Sequence, residues 1–238
     1  MTDMGVLGDL IGRDRRSEAT ALRASAVDRE YDYRRFCTSA WKVGNFLRHL
    51  GVRGGDGVAV ADDPLPEPVL TLYGAALLGG VVRFDPPTAP DDGVRAVVVP
   101  EPALDDHDLD AGTKPVVYGD QHPDPSVAFF ERDVWSENPS MPPDIVAPGD
   151  PLLRSDGVTY SHGEVLEAAE AVVERAEIDV GDEVGVAAGA PFADPGVVAA
   201  GLVAPIVAGG TVAVGSAARS DVVVGPDGDV DPETVLRP

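Results

Sequence analysis

Ser161 and His162 place a hydroxyl beside an imidazole, the two groups that general-base activation of a nucleophile requires. Adjacent residues at a helix start rarely point at one another, and Glu164, three positions on, completes a different pattern. It is the capping box, in which the serine oxygen and the carboxylate satisfy free backbone N–H groups, and a cap is the expectation here. His107 lies in DDHDLD, Asp105 to Asp110. A metal site needs such ligands to converge on a rigid frame, and this run reads as a solvated loop. His49 and His122 stand apart from any partner. Cys37 is the only cysteine, which rules out an internal disulfide and a cysteine-based zinc site; within a predicted helix it reads as a small buried thiol. Gly51, Gly54, Gly55 and Gly57 follow a helix and precede a strand, the reverse of the order a dinucleotide-binding loop needs. Neither Trp41 nor Trp135 has neighbours that suggest base stacking.

The elements that position these residues follow from periodicity. Ala19–Arg23 and Arg29–Tyr31 read as strands of a hairpin. Phe36, Ala40, Val43, Leu47 and Leu50 then mark one helical face, with Gly51 as its stop. A buried strand follows at Val58–Ala61, then a helix opened by Pro64, Pro66 and Pro68, and a strand at Val81–Phe84. Asp85–Asp150 is rich in proline and aspartate. It shows short strands near Val97 and Val117, an edge strand at Val127–Phe130, and otherwise reads as surface connection. From Val158 the first pattern recurs: a strand, a helix carrying Val165, Ala169, Val172 and Ala176, a strand at Val184–Ala188, a helix ending at Gly209-Gly210, and a strand at Thr211–Val214. Two copies of one unit predict an α/β fold of two related lobes with mainly parallel sheets covered by helices. The lobes are residues 1–135, with the Pro/Asp-rich extension, and 136–238, together forming one compact domain.

Composition narrows the function classes. The net charge is −23, with only two lysines among eighteen basic residues, a composition resembling that of halophilic cytosolic proteins whose acidic surfaces are screened by salt. A phosphate backbone or anionic lipid needs a basic footprint, so nucleic acid and membrane surfaces are not expected partners. The N-terminus has no basic start followed by an apolar core, hence no secretion signal, and a cytoplasmic location is expected. Gly196–Ala218 is uncharged and long enough to span a bilayer, but Pro205 and Gly209-Gly210 divide it into a helix and a strand.

DYRRFCTSAWKVGNFLRHLGVRGGDGVAVA, Asp32–Ala61, followed by YGAALLGGVVRFDPP, Tyr73–Pro87, resembles the opening of adenylate-forming enzymes, the AMP-binding acyl-CoA synthetase family. GVTYSHGEVLEAAEAVVE, VGDEVGVAAGAPF and GLVAPIVAGGTVAVG resemble the segment of that family that follows its phosphate loop. The resemblance implies a truncated relative of the N-terminal part of such enzymes, which activate a carboxylic acid with ATP. It also exposes a loss. The family's Ser/Thr/Gly-rich phosphate loop would lie between Ser155 and Gly157, where only Asp156 stands; one residue cannot wrap a triphosphate, and its carboxylate repels one. Ser155, Gly157 and His162, which has a counterpart after the loop, are the remnant candidates for cofactor contact. The sequence ends before the family's adenine, Mg²⁺, ribose and catalytic-lysine motifs, so no catalytic residue and no metal ligand carries over. The expected role is therefore non-catalytic: binding a protein partner, such as a full-length synthetase or a second copy of the chain, or a small ligand, with no cofactor. Two alternatives stay open. One is a split acid:CoA ligase whose second chain supplies the ATP site, with ATP or AMP, Mg²⁺ and coenzyme A as its cofactors; the other is a vestigial protein that still folds.

Overall fold

The computed structural model describes residues 5–89, 91 and 93–236. The chain opens on two short 3₁₀ turns, Leu7–Ile11 and Arg13–Arg15, in a stretch the sequence reading leaves without structure. Leu7, Leu10 and Ile11 are buried, and Trp41 donates its indole N–H to the Ile11 carbonyl at 3.0 Å, so this segment is part of the core.

A hairpin follows, β1 (Thr20–Ala24) and β2 (Arg29–Asp32), and runs directly into α1 (Tyr33–His49). Asp32 caps that helix by accepting the Arg35 backbone N–H at 2.6 Å. Next come β3 (Gly57–Val60), α2 (Pro66–Ala76), β4 (Val81–Arg83) and β5 (Val94–Pro100). The Pro/Asp-rich middle contributes more than connection: β6 (Lys114–Tyr118), the edge strand β7 (Ala128–Phe129) and α3 (Phe130–Ser136), of which α3 is not expected from sequence. The stretch 137–150 carries no helix or strand.

The second copy then begins with β8 (Pro151–Ser155), β9 (Val158–Ser161) and α4 (His162–Arg175), followed by β10 (Glu183–Val186). The helix expected ahead of Gly209 is broken into α5 (Pro195–Val197), a π-helical stretch (Val198–Val203) and α6 (Ala204–Ala208). Pro205 has no N–H to continue an α-helical ladder, the Ala204 N–H reaches back five residues to the Ala199 carbonyl, and the Tyr73 hydroxyl donates to the Leu202 carbonyl at 2.8 Å. Strands β11 (Thr211–Val214) and β12 (Val222–Val224) complete the unit. Among the described residues no helix is long and apolar enough to cross a membrane.

Both sheets are parallel except for their terminal hairpins. The larger runs β7-β6-β5-β3-β4-β8-β9 and the smaller β12-β10-β11-β1-β2. The two copies correspond strand for strand, β3 to β10, β4 to β11 and β5 to β12, in the same registers: Val58 pairs Val82 and Ala96 as Val184 pairs Val212 and Val222. Their turns match as well, since Gly55 donates to the Gly79 carbonyl as Gly181 does to that of Gly209. The sheets do not follow the sequence boundary at residue 135. Hairpin β1-β2 of the first copy joins the sheet of the second through β11, and hairpin β8-β9 of the second joins the sheet of the first through β4. Each copy completes the other's sheet.

Candidate functional site

The stretch between β8 and β9 is a two-residue turn. Asp156 and Gly157 both take positive φ, 48° and 80°, as a tight hairpin turn of the Asp-Gly type requires, and Ser155 pairs Val158 across it. Asp156 accepts this geometry because a short polar side chain tolerates the left-handed region, and glycine adopts it without a Cβ penalty. The equivalent turn of the first copy, between β1 and β2, is longer, with a 3₁₀ turn at Ser25–Val27 and Asp28 left-handed at φ 50°. A polyphosphate does not fit at the Asp156-Gly157 turn: two residues leave no cradle of convergent N–H groups, and the Asp156 carboxylate adds repulsion.

The turn forms one wall of a cleft of about 670 Å³. Opposite stands the segment Pro191–Pro195, and Arg83, Phe84, Tyr160 and Leu236 contribute to the lining. Two contacts fix the geometry of the cleft. The Ser155 hydroxyl donates to the Ala193 carbonyl at 2.7 Å, so it spans the two walls and is not free to contact a ligand as a hydroxyl donor. Asp62, after β3, accepts the backbone N–H groups of Phe192 (2.8 Å) and Ala193 (3.0 Å), clamping the far wall to the larger sheet. Burial raises the Asp62 carboxyl pKa, and these two N–H donors oppose the rise. Behind the clamp, Phe84 packs edge-on against Phe192 with centroids 5.5 Å apart. A second cavity, about 480 Å³, is lined by Phe192 with Asp62, Pro64, Ala187–Pro191 and Gly215. Tyr160 lies in the first cleft, its phenol pKa raised by burial and then by Asp194, Glu164 and Asp156.

Of the three residues read from sequence as remnants of a cofactor site, the hairpin brings Ser155 and Gly157 together at the cleft and carries His162 away from it. His162 is fully buried at the start of α4. Its Nδ1 accepts the Leu7 backbone N–H at 3.2 Å, while Nε2 has no partner. Burial pushes its pKa down to about 4, against smaller opposing effects of Asp150 and Asp9, so the ring is neutral at pH 7. It fastens the N-terminal segment to the second copy. Ser161 forms the capping box that its spacing to Glu164 predicts: Glu164 accepts the Ser161 N–H at 2.8 Å, and the serine oxygen accepts the Glu164 N–H at 3.3 Å. Cys37 is buried, its thiol pKa pushed up to about 11 by desolvation. His107 donates from Nδ1 to the Pro87 carbonyl at 2.9 Å, and no group of three or more metal-binding side chains converges among the described residues.

Sequence reasoning passed over Asp62, Arg83 and Arg154. The signal for the arginines was in the registers of β4 and β8, which set them side by side, and strand partners are not readable from local pattern.

No family model and no curated protein matches the chain. Solved structures do match. The anthranilate CoA ligase AuaEII, solved with anthranoyl-AMP, agrees with a TM-score of 0.72 at 18% identity, over 88% of this chain and 44% of that one. The N-terminal domain of FACL13 from Mycobacterium tuberculosis agrees at 0.67 and 17% identity, over 87% of this chain and 56% of that one. The nonribosomal peptide synthetase FmoA3 agrees at 0.68 and 23% identity, over 88% of this chain and 22% of that one. The chain has the fold of the N-terminal region of adenylate-forming synthetases, as its sequence resemblance implies, and spans about half or less of the length of these structures.

Proposed function

We propose that this chain, built on the fold of adenylate-forming synthetases, is a small-ligand binding module that does not form adenylates by itself. The observation that carries this reading is the Asp156-Gly157 turn. Adenylyl transfer depends on positioning a triphosphate and neutralising its charge. At this place the backbone closes on itself in two residues and presents a carboxylate. The scaffold around it is intact, with clamped walls and a cleft of about 670 Å³, within the range of sites that hold small molecules. The turn's strand geometry is regular, and Asp62 and Ser155 hold the walls together. The buried Cys37 thiol needs no oxidising compartment, in keeping with a cytoplasmic protein.

ATP–pyrophosphate exchange with a panel of carboxylic acids tests the reading directly. No exchange above the rate without protein is expected, and ATP is expected to leave the melting temperature unchanged. Exchange that depends on an added acid would overturn it.

A further inference from the structure

The internal repeat supplies a control for one arginine. In the smaller sheet Gly185, Ala213, Arg23 and Glu30 form a row across four strands. Arg23 is neutralised twice there, its Nε 3.3 Å from Glu30 and its guanidinium against Glu183. The corresponding row of the larger sheet is Ala59, Arg83, Arg154 and Thr159. Arg154 takes the place of Arg23, but Thr159 stands where Glu30 stands, and Gly57 where Glu183 stands. Both carboxylates are gone. On the other side the neighbouring strand brings a second cation, because Val82 registers with Leu153 and so sets Arg83 beside Arg154 on one face.

Like charges directly across neighbouring strands destabilise a sheet unless something neutralises them. Arg83 is held by Asp91 at 3.2 Å and more loosely by Asp85 at 3.9 Å. The Arg154 side chain has no hydrogen bond or ion pair among the described residues, and it opens into the cleft at the C-terminal ends of β4 and β8. Ligands of α/β sheets lie at that end of the strands. A chain of net charge −23 has carboxylates to spare for an arginine, and this one is left without.

Resting on the reading of the cleft as a ligand site, the geometry points to its ligand: a small molecule with one oxyanion head on an apolar body. The head, a carboxylate or a phosphate or sulfate monoester, is gripped by the Arg154 fork with Arg83 beside it, since a guanidinium offers two parallel N–H donors to such a group. The body lies on Phe84, Pro195 and Leu236. Asp85, Asp156, Asp194 and Glu233 also line the cleft and repel further negative charge, which selects against polyphosphates.

Titration calorimetry of the full chain with benzoate, phenyl phosphate, benzamide and ATP tests the grip. At least one of benzoate and phenyl phosphate is expected to bind, and whichever binds identifies the head; neutral benzamide and ATP are expected not to. Arg154→Ala should weaken binding about tenfold or more, the loss of a charge-assisted pair. Thr159→Glu should do the same with the arginine retained, because it restores the carboxylate that Glu30 supplies in the other sheet. Arg23→Ala should leave affinity unchanged. Arg154 and Thr159 are both exposed, so melting curves near wild type are expected for the variants at these positions. Failure of both anions to bind, equal binding of benzamide, or unchanged affinity in the Arg154 and Thr159 variants would overturn the proposal. Adenylation activity in the same preparation would instead overturn the reading of the chain as non-adenylating, and the two variants would still decide the anion grip.

Discussion

His162 shows how a residue type that suggests chemistry is absorbed by structure. Its ring is fully buried, Nδ1 takes the Leu7 N–H, and Nε2 is left without a partner, an arrangement that holds only while the ring is neutral. A proton on Nδ1 would face the Leu7 N–H donor to donor and loosen the Leu7–Ile11 turn. The folded pKa, about 4, lies below the ordinary histidine value of 6.5, so between those values the unfolded chain binds a proton that the folded chain does not. Stability is therefore undiminished by this group above pH 6.5, falls as the pH drops through that window, and reaches its full loss below about 4. At about 1.4 kcal/mol per pKa unit the loss is about 3 kcal/mol. Urea unfolding across the window should show it, and His162→Asn, whose side-chain oxygen can still accept from Leu7, should remove that part of the slope. Parallel pH curves for variant and wild type would place the histidine outside the acid response. The same scale shows the limit of reading sites from residue types. Ser161 and Glu164 were legible as a cap because a helix terminus is a local feature. The burial of His162 was not, because its cover comes from Leu7, a residue 155 positions away.

At the scale of elements, the two copies differ at the outer edge of their third strand. In the larger sheet β5 is followed outward by β6 and β7. In the smaller sheet its counterpart β12 is the last strand, and the chain turns back at Gly225 to cover it. Asp229 accepts the Val223 N–H at 2.8 Å, and Val230 donates to the Val223 carbonyl at 3.1 Å while making a single parallel bridge with Val224. An uncovered edge is a template for pairing with another chain, and a carboxylate placed on its free N–H blunts it. A second chain that extended this sheet at β12 would first have to displace this cap. Asp229→Ala is expected to leave the Val223 N–H unpaired and to raise self-association, read as a concentration-dependent shift to larger species in light scattering after size exclusion. A strictly monomeric variant at all concentrations would show that the edge is protected by something else. The strands themselves were legible from β-branched runs bounded by glycine, and the broken helix before Gly209 was not. Its apolar residues recur without a polar face, since the π-helical stretch Val198–Val203 is buried on all sides, and periodicity carries no signal where every position is apolar.

For the whole molecule, the repeat was readable from sequence but the exchange of hairpins was not. Leu22 pairs Tyr31 and Leu153 pairs Tyr160, so each hairpin has the same apolar pair, and nothing local says which sheet either will join. Pairing β1 with β11 and β4 with β8 has an energetic consequence. Were the sheets drawn from residues 1–135 and 136–238 separately, each lobe would have its own complete sheet, and heating could melt one before the other. With the hairpins exchanged, unfolding either copy strips two strands from the sheet of its neighbour. The side-chain links run the same way: Tyr73 to Leu202, Tyr33 to Gly210, Arg15 to Ile206 and Leu7 to His162 each join one copy to the other. Losing one half would leave several buried donors and acceptors of the other unpaired, each at a cost of about 1–3 kcal/mol. Calorimetry is therefore expected to show one transition, with calorimetric and van't Hoff enthalpies equal. Its midpoint should rise with potassium chloride up to about 1 M, as screening relieves the repulsion within a chain of net charge −23. Separate expression of residues 1–135 or 136–238 should give unfolded or aggregated material, and mixing the two under refolding conditions should restore the folded signal. Two resolved transitions in the intact chain, or a half that melts cooperatively by itself, would mean that the exchanged hairpins do not couple the copies as the sheet order implies.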